Sequence, residues 1–459
     1  MNDSGVKIEA HLLQNFAPSN LNRDDTGQPK STTFGGFRRA RISSQCEKRA
    51  ARNWWCEHGT VTVGDRTKRL QQLIGNKLAK DEEFVKKVAD DKDRKDGIRV
   101  FTDAYYAAAD KKNQDHTKVL IFIGPHEVDI CARAIKDIWD DKTENTVIEK
   151  EQKTNTIEGI ASIVKKVHDL DAKKANKKIN SNNRDETTVQ PESEQTVDNE
   201  NAEEADPKKP KSPKLKSLPE IENRIKSAQV SADIALFGRM LAEHPGLNTD
   251  GACQVAHPIS THKVDMEMDF FTAVDDLNPD DETGAGMMGI VGFNSACYYR
   301  YALVDRDQLA RNLARKTQRN NGKYVQELET KDYEDADKGI EAFLEAMVYV
   351  IPTGKQNSFA AQNLPSFGLF VRRQGGVPIS LANAFAKPIR PTKDDDDLVG
   401  LSVAALTKHW KAIKTVYGGQ GVKATTCFHL YQGERLNELK DCDKGSVEKA
   451  IDAIMKETK

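Results

Sequence analysis

Residues 19–53 read SNLNRDDTGQPKSTTFGGFRRARISSQCEKRAARN, and the chain is organised around them. A Gly35-Gly36 turn leads to Arg38, Arg39 and Arg41, then to a Ser-Ser-Gln entry into a helix. Ser44 with Glu47 three residues on matches a capping box, which predicts a helix starting at Ser44. Gln45, Lys48, Arg49 and Arg52 then recur at i, i+3, i+4 and i+7, one stripe on one face. Ala50, Ala51, Trp54 and Trp55 fall mostly on the other side, free to bury. Open amides at a helix start and a cationic stripe both attract an anion, and a phosphodiester backbone is the obvious one. The alternative is a solvated basic face over a satisfied cap.

At 459 residues the chain exceeds one ordinary domain, so a large core with insertions is expected. It holds no apolar run long enough for a membrane span and no leader-like start, which predicts a cytoplasmic protein with no membrane partner. The seven cysteines are scattered without a CxxC pair, which argues for a reducing compartment and no structural zinc. Net charge is −2, unpromising for a nucleic-acid binder, but binding follows the local field.

Val6, Ile8, Ala10 and Leu12 alternate with polar residues, so residues 6–14 read as a strand. In the loop after it, Asp24 and Asp25 are either metal ligands or loop hydrogen-bonders. Residues 65–110 and 127–139 show helical periodicity around a short strand at 119–123. Residues 142–220 are rich in charged and small polar residues. They read as an insertion, partly helical near 157–170, disordered through 180–217, with a basic tract at 208–216. Residues 232–237 alternate like a strand. Val264, Met266, Met268 and Phe270 then share one strand face and Asp265, Glu267 and Asp269 the other. With an acidic, Gly-rich connection at 275–286 and a run at 287–293, this predicts a protruding ribbon. Tyr298, Tyr299 and Tyr301 are available for core packing or for stacking. Gly354 and Lys355 lie in a polar loop without phosphate-loop spacing, so no nucleotide cofactor is expected, although the turn could meet a backbone phosphate. Strands at both ends with helices between predict an α+β sheet.

The motifs SNLNRDD, FGG and RRARISSQ, with SADIALFGRM (231–240), QVAHPISTH (254–262), DFFTAVDDL (269–277), GFNSACYYRY (292–301) and GKQN (354–357), are ordered along most of the chain. Together they resemble the CasC family, the repeated backbone subunit of type I-E CRISPR Cascade complexes. The resemblance implies a ferredoxin-like, RRM-type palm with inserted helical fingers and a β-hairpin thumb. Its expected division is palm at 1–64, 221–256 and 293–459, fingers at 65–141, the charged insertion at 142–220 and thumb at 257–292.

The resemblance also implies a non-catalytic scaffold. Copies would line up along a crRNA and leave its bases free to pair with target DNA, beside large, small, 5′-handle-capping and crRNA-processing Cascade subunits. Arg23, Lys30, Lys48, Arg49 and Arg52 would neutralise phosphates, with Arg38, Arg39, Arg41 and Lys355. Ser43, Ser44 and Gln45 would hydrogen-bond backbone oxygens. Met240 and the apolar face of Val264, Met266, Met268 and Phe270 would prop displaced bases. No cofactor or metal is expected. The competing reading is an endoribonuclease using His11, His257, His262, Asp24 or Asp25, though none has a partner at a convincing spacing. A third is a generic RNA binder that forms no filament.

Overall fold

The alternation that predicts a first strand is real, but the strand is longer and buried on both faces. In the computed structural model, which describes residues 5–139, 159–182, 219–241, 244–274, 276–277, 285–393, 395–419, 421–431 and 439–456, β1 runs Val6–Ser19. Even the polar parity of β1, Glu9 and His11, is buried.

β1 is followed by the hairpin β2 (Ser31–Phe34) and β3 (Phe37–Ala40), then α1 (Ser44–His58). Next come β4 (Asp65–Thr67), α2 (Leu70–Leu78), α3 (Glu82–Lys87), α4 (Asp91–Tyr105), β5 (Ile121–Ile123), α5 (Pro125–Ile138), α6 (Ile160–Asn182) and α7 (Pro219–Ser227). The chain continues with α8 (Ala232–Phe237), β6 (Cys253–Val255), β7 (Ile259–Ser260), β8 (Glu267–Val274), β9 (Ala285–Asp305) and α9 (Arg306–Ala314). β10 (Arg319–Asn320), β11 (Lys323–Tyr324), α10 (Thr330–Tyr349), α11 (Gln356–Phe359), β12 (Phe367–Gln374), α12 (Leu398–Tyr417), β13 (Val422–His429) and α13 (Val447–Lys456) complete it.

These elements form two units. The first comprises Met1–Gly64, Gln229–Arg239 and Thr249–Lys459. Its sheet follows the order β13-β12-β1-β9-β6, with β7 and β8 also paired to β9 and every pairing antiparallel. One face, with Leu13, Tyr299, Tyr301, Leu303, Leu369 and Val371, packs on Val403, Leu406 and Trp410 of α12. The opposite parity, including Ile8, Ala10 and Leu12, lies under α9, α10 and α13. Two helical layers therefore remove both sheet faces from water.

Burial on both faces leaves β1 with polar groups that need partners. The Glu9 carboxylate accepts from Arg373 Nε at 2.7 Å, the Ile379 amide at 2.6 Å and the Tyr301 hydroxyl at 3.2 Å. Burial still drives the Glu9 carboxyl above its usual range, against the pull of the Arg373 guanidinium. His11 Nδ1 meets the Tyr299 hydroxyl at 2.9 Å, and that hydroxyl accepts from the Leu381 amide at 2.8 Å. Tyr298, Tyr299 and Tyr301 are thus core residues and have no free faces for stacking.

The second unit comprises Asp65–Ala228 and Met240–Asn248. Helices α2–α7 close around Leu70, Ile74, Phe101, Tyr105, Ile121, Cys131, Ile135 and Trp139. Ile160, Ile163 and Val164 of α6 and Ile221 and Ile225 of α7 belong to the same core. Within the charged span 142–220, residues 160–164 of α6 therefore join a core, because they keep a short apolar stripe. The basic tract 208–216 lies outside the described residues.

Two readings need correction. Residues 232–237 form helix α8 and not a strand. Five of its six residues are apolar, four of them buried and Phe237 half-buried, so period 2 and period 3.6 cannot be told apart over so short a run. Val264 does not stand on the ribbon. It lies before β8, its amide donates to Arg38 O at 3.1 Å, and it is buried with Phe16, Ile42 and Tyr298. Met266 also precedes β8 and is half-buried.

His11 gives this fold a pH dependence. Burial first, and the Arg373 charge second, pull its pKa from 6.5 down to about 3. The unfolded chain therefore takes up this proton before the folded one, and the stability present above 6.5 is lost as pH falls towards 3. His11 should account for about 2 kcal/mol of stability lost between pH 7 and pH 5. Denaturant unfolding of the parent and His11→Gln at both pH values measures this. Equal losses in the two proteins would refute the assignment.

Candidate nucleic-acid interface

Helix α1 begins at Ser44, but the capping box is not made. The cap is Ser43, whose hydroxyl accepts from the Cys46 amide at 3.3 Å. Glu47 turns inward instead and pairs with Arg300 of β9, which also donates to Gln14 Oε1 at 2.6 Å. Both charges are almost wholly buried, so the first turn of α1 is tied to the central strands.

The cationic stripe divides. Gln45 and Arg49 are exposed. The ammonium of Lys48, half-buried, stands 5.3 Å from the Phe237 ring centroid. Arg52 turns away, with Nε 2.6 Å from the buried Asp233 carboxylate and Nη2 2.6 Å from Gly64 O. Asp233 also accepts from the Gly64 amide at 3.0 Å and the Ser231 hydroxyl at 2.6 Å. Arg52 is thus a fold residue, which corrects its phosphate-binding assignment.

Strand alternation sorts the preceding arginines in the same way. Arg38 is exposed, with Nε 3.2 Å from Ser31 Oγ. Arg39 points inward and donates to Ser260 O at 2.9 Å and Phe385 O at 2.7 Å. It is fully buried and cannot meet an external phosphate. Arg41 lies 2.8 Å from His257 Nδ1. The hairpin turn sits so close to the 382–386 segment that a Cβ at Gly35 would fall 1.8 Å from Ala386 O.

The loop before this hairpin is organised by carboxamides and one carboxylate. Asn22 Oδ1 accepts from the Ser43 amide at 2.8 Å. Asn20 Nδ2 bridges Gly27 O at 3.0 Å and Gly292 O at 2.9 Å, tying the loop to β9. Asp24 Oδ1 accepts from Thr26 N, Thr26 Oγ1 and Gln28 N, at 3.0, 2.7 and 2.9 Å. These bonds, that of the Thr26 hydroxyl foremost, hold its carboxyl below the ordinary range. Asp24 shapes a turn. Among the described residues no group of three or more His, Cys, Asp or Glu could hold a metal.

Three distant segments then meet. The 21–27 loop, the Cys46–Arg49–Ala50–Asn53 face of α1 and the turn at 352–354 enclose an open polar cleft of about 550 Å³. Close approach is built in, since a Cβ on Gly354 would sit 2.2 Å from Leu21 O. Arg23 and Arg49 line the cleft, with Asp24 and Asp25 on the loop side. Lys30 and Arg49 both act on the Cys46 thiol, but burial and Glu47 push that thiol up to about 11. Ser43, Ser44 and Gln45 form the entry to α1, and half-buried Lys355 follows Gly354. Asn53 and Thr353 also line the cleft. Sequence reasoning passed over both, though Asn53 stands at i+4 from Arg49 on the same helix face.

Met240 belongs to the second unit and is 84 % exposed. On the ribbon, Met268 faces Gly292, Phe270 faces Ile290 and Thr272 faces Met288. Met268, Phe270, Met288 and Ile290 are 59–66 % exposed, an apolar surface that nothing in this chain covers among the described residues. The three candidate histidines all have partners. His11 is buried. His262 meets Lys263 O through Nδ1 at 2.7 Å and accepts from the Cys297 amide through Nε2 at 3.4 Å. His257 faces Arg41, and burial followed by the Arg41 and Lys30 charges lowers its pKa.

Residues 8–456 match the model of the CT1975-like protein family. The fold resembles a solved chain of a "CRISPR RNA-guided surveillance complex, pre-nicking", with 25 % identity and a TM-score of 0.69 over 99 % of this chain and 100 % of the other. A chain of a second "CRISPR RNA-guided surveillance complex" aligns over 99 % and 100 % at 20 % identity with a TM-score of 0.52, a likeness of fold alone. No curated protein matches the chain significantly.

The division of the stripe can be measured as stability. Arg52→Ala leaves Asp233 buried without its cation and should cost about 3 kcal/mol. Arg49→Ala should stay within about 0.5 kcal/mol. Urea unfolding of both variants tests this, and equal effects would contradict the division.

Proposed function

The chain belongs to the CT1975-like protein family, and we propose that it is the crRNA-binding backbone subunit of a type I-E CRISPR Cascade surveillance complex. The observation that carries this reading is the cleft lined by Arg23 and by Arg49 of α1, in a chain similar to a surveillance-complex chain over 99 % of its length. Guanidinium groups in an open polar cleft suit ribose-phosphate and carry no base specificity. Sequence recognition would then reside in the guide, which the protein presents for pairing with target DNA.

The sheet supports the palm assignment. Along β12-β1-β9-β6 the strands stand in the order fourth, first, third, second of a ferredoxin-like unit, with α1 in the first crossover and α9 and α10 in the second. Both faces of this sheet are covered, so RNA would not stack on it as it does on an ordinary RRM. The helical unit would be the fingers and the β8–β9 ribbon the thumb. The bare apolar face of Met268, Phe270, Met288 and Ile290 could slide between bases, with exposed Met240 in a similar role. Several copies would coat one guide in a filament, beside the other Cascade subunits.

The protein would act without catalysis. The occupied histidines and the turn-forming Asp24 support this. Labelled guide RNA should remain intact on incubation with and without magnesium. Cleavage lost on substituting His257 or Asp25 would make it an endoribonuclease instead.

The grip itself is testable through salt. Replacing Arg23 and Arg49 together by Ala should weaken binding alike for every spacer sequence. It should also reduce the log–log salt slope by about 1.4, the share of two phosphates on a single strand. In native mass spectrometry, bound copies should rise with spacer length. A double variant that binds guide RNA like its parent, or a fixed single copy per RNA, would overturn the scaffold reading.

A further inference from the structure

We propose that the aromatic stack at the C-terminal end of α1 is a shelf on which an unpaired nucleobase lies. This rests on the RNA-binding reading above and adds a subsite to it. The Trp54 and His58 rings are 3.7 Å apart with planes at 22°, and the Tyr349 ring lies 6.5 Å from Trp54 at 18°. Three nearly parallel rings thus come from the last turns of α1 and α10. The imidazole is held in place by Nδ1, 2.9 Å from Trp54 O.

These rings are not core. Tyr349 is 39 % exposed, His58 is exposed and Trp54 is half-buried, whereas Trp55, Trp139 and Trp410 are all buried. The shelf is also next to the cationic cleft along the chain. Asn53, next to Trp54, lines that cleft, and Tyr349 leads three residues on to Pro352 and Thr353, which line it too. A nucleotide pairs an anionic group with a planar ring. Guanidinium groups and a parallel aromatic surface carried by the same two segments match both parts. Stacking tolerates any base, so the shelf would hold a guide without reading it.

Trp54 is itself the probe, being the one tryptophan of the four that is not buried. The full chain is titrated with a short oligoadenylate and with an abasic oligonucleotide of equal length. The oligoadenylate should quench tryptophan emission, and the abasic strand should bind without quenching. Trp54→Leu should weaken oligoadenylate binding about tenfold and abolish the quenching, while Trp54→Phe keeps most of the affinity. Tyr349→Leu, which leaves the reporter in place, should weaken binding as well. Binding of oligoadenylate with unchanged emission, or parental affinity in both leucine variants, would refute the shelf and leave the phosphate cleft standing. Failure of the parent to bind either strand would remove both.

Discussion

A buried ion pair sets the position of everything functional in this molecule. Glu47 in the first turn of α1 meets Arg300 in the middle of β9, with Gln14 of β1 completing the contact. Neither charge could be buried alone, since an unpaired ion in that setting costs several kcal/mol. Each therefore holds the other, and the helix is fixed to the two central strands. The cleft is built outward from that joint. Its floor is the helix face carrying Cys46, Arg49 and Asn53, and its walls are loops whose backbones pack within van der Waals contact of each other.

Positive charge is divided between inside and outside by geometry. Arg39, Arg52, Arg300, Arg306 and Arg373 turn into the first unit. There they meet backbone carbonyls or the carboxylates of Asp233, Glu47, Asp337 and Glu9. Arg23, Arg38 and Arg49 remain at the surface. A net charge of −2 therefore says little about the field over the cleft, because many cations are already neutralised internally. Neighbouring arginines in one motif serve opposite ends: Arg38 faces solvent and Arg39 the core, as strand alternation requires.

β9 joins scaffold to surface in one continuous strand. One part lies between β1 and the short strands β6 and β7, and its earlier part pairs with β8 to form the ribbon. Asn20 ties the crossover point to the cleft loop through Gly292 O and Gly27 O. The rigid core thus reaches both the cleft and the apolar ribbon without an intervening hinge of loop residues.

Much of this was legible from residue order. The first strand, the start of α1, the helices of the second unit, the ribbon and the exposure of Arg49, Met268 and Phe270 all follow from periodicity and end signals, which act over a few residues. What escaped was long-range. Glu47 looked like half of a capping box because its partner Arg300 lies 253 residues away. Arg52 looked like one more phosphate ligand until Asp233 folded against it, Val264 looked like ribbon until it reached Arg38 O, and α8 looked like a strand because five of its six residues are apolar. Sequence by itself determined most of the elements and which residues are cationic, since propensity and alternation are local. Only the tertiary structure decided which cations face water, because burial pairs each inward charge with a group that sequence spacing does not reveal.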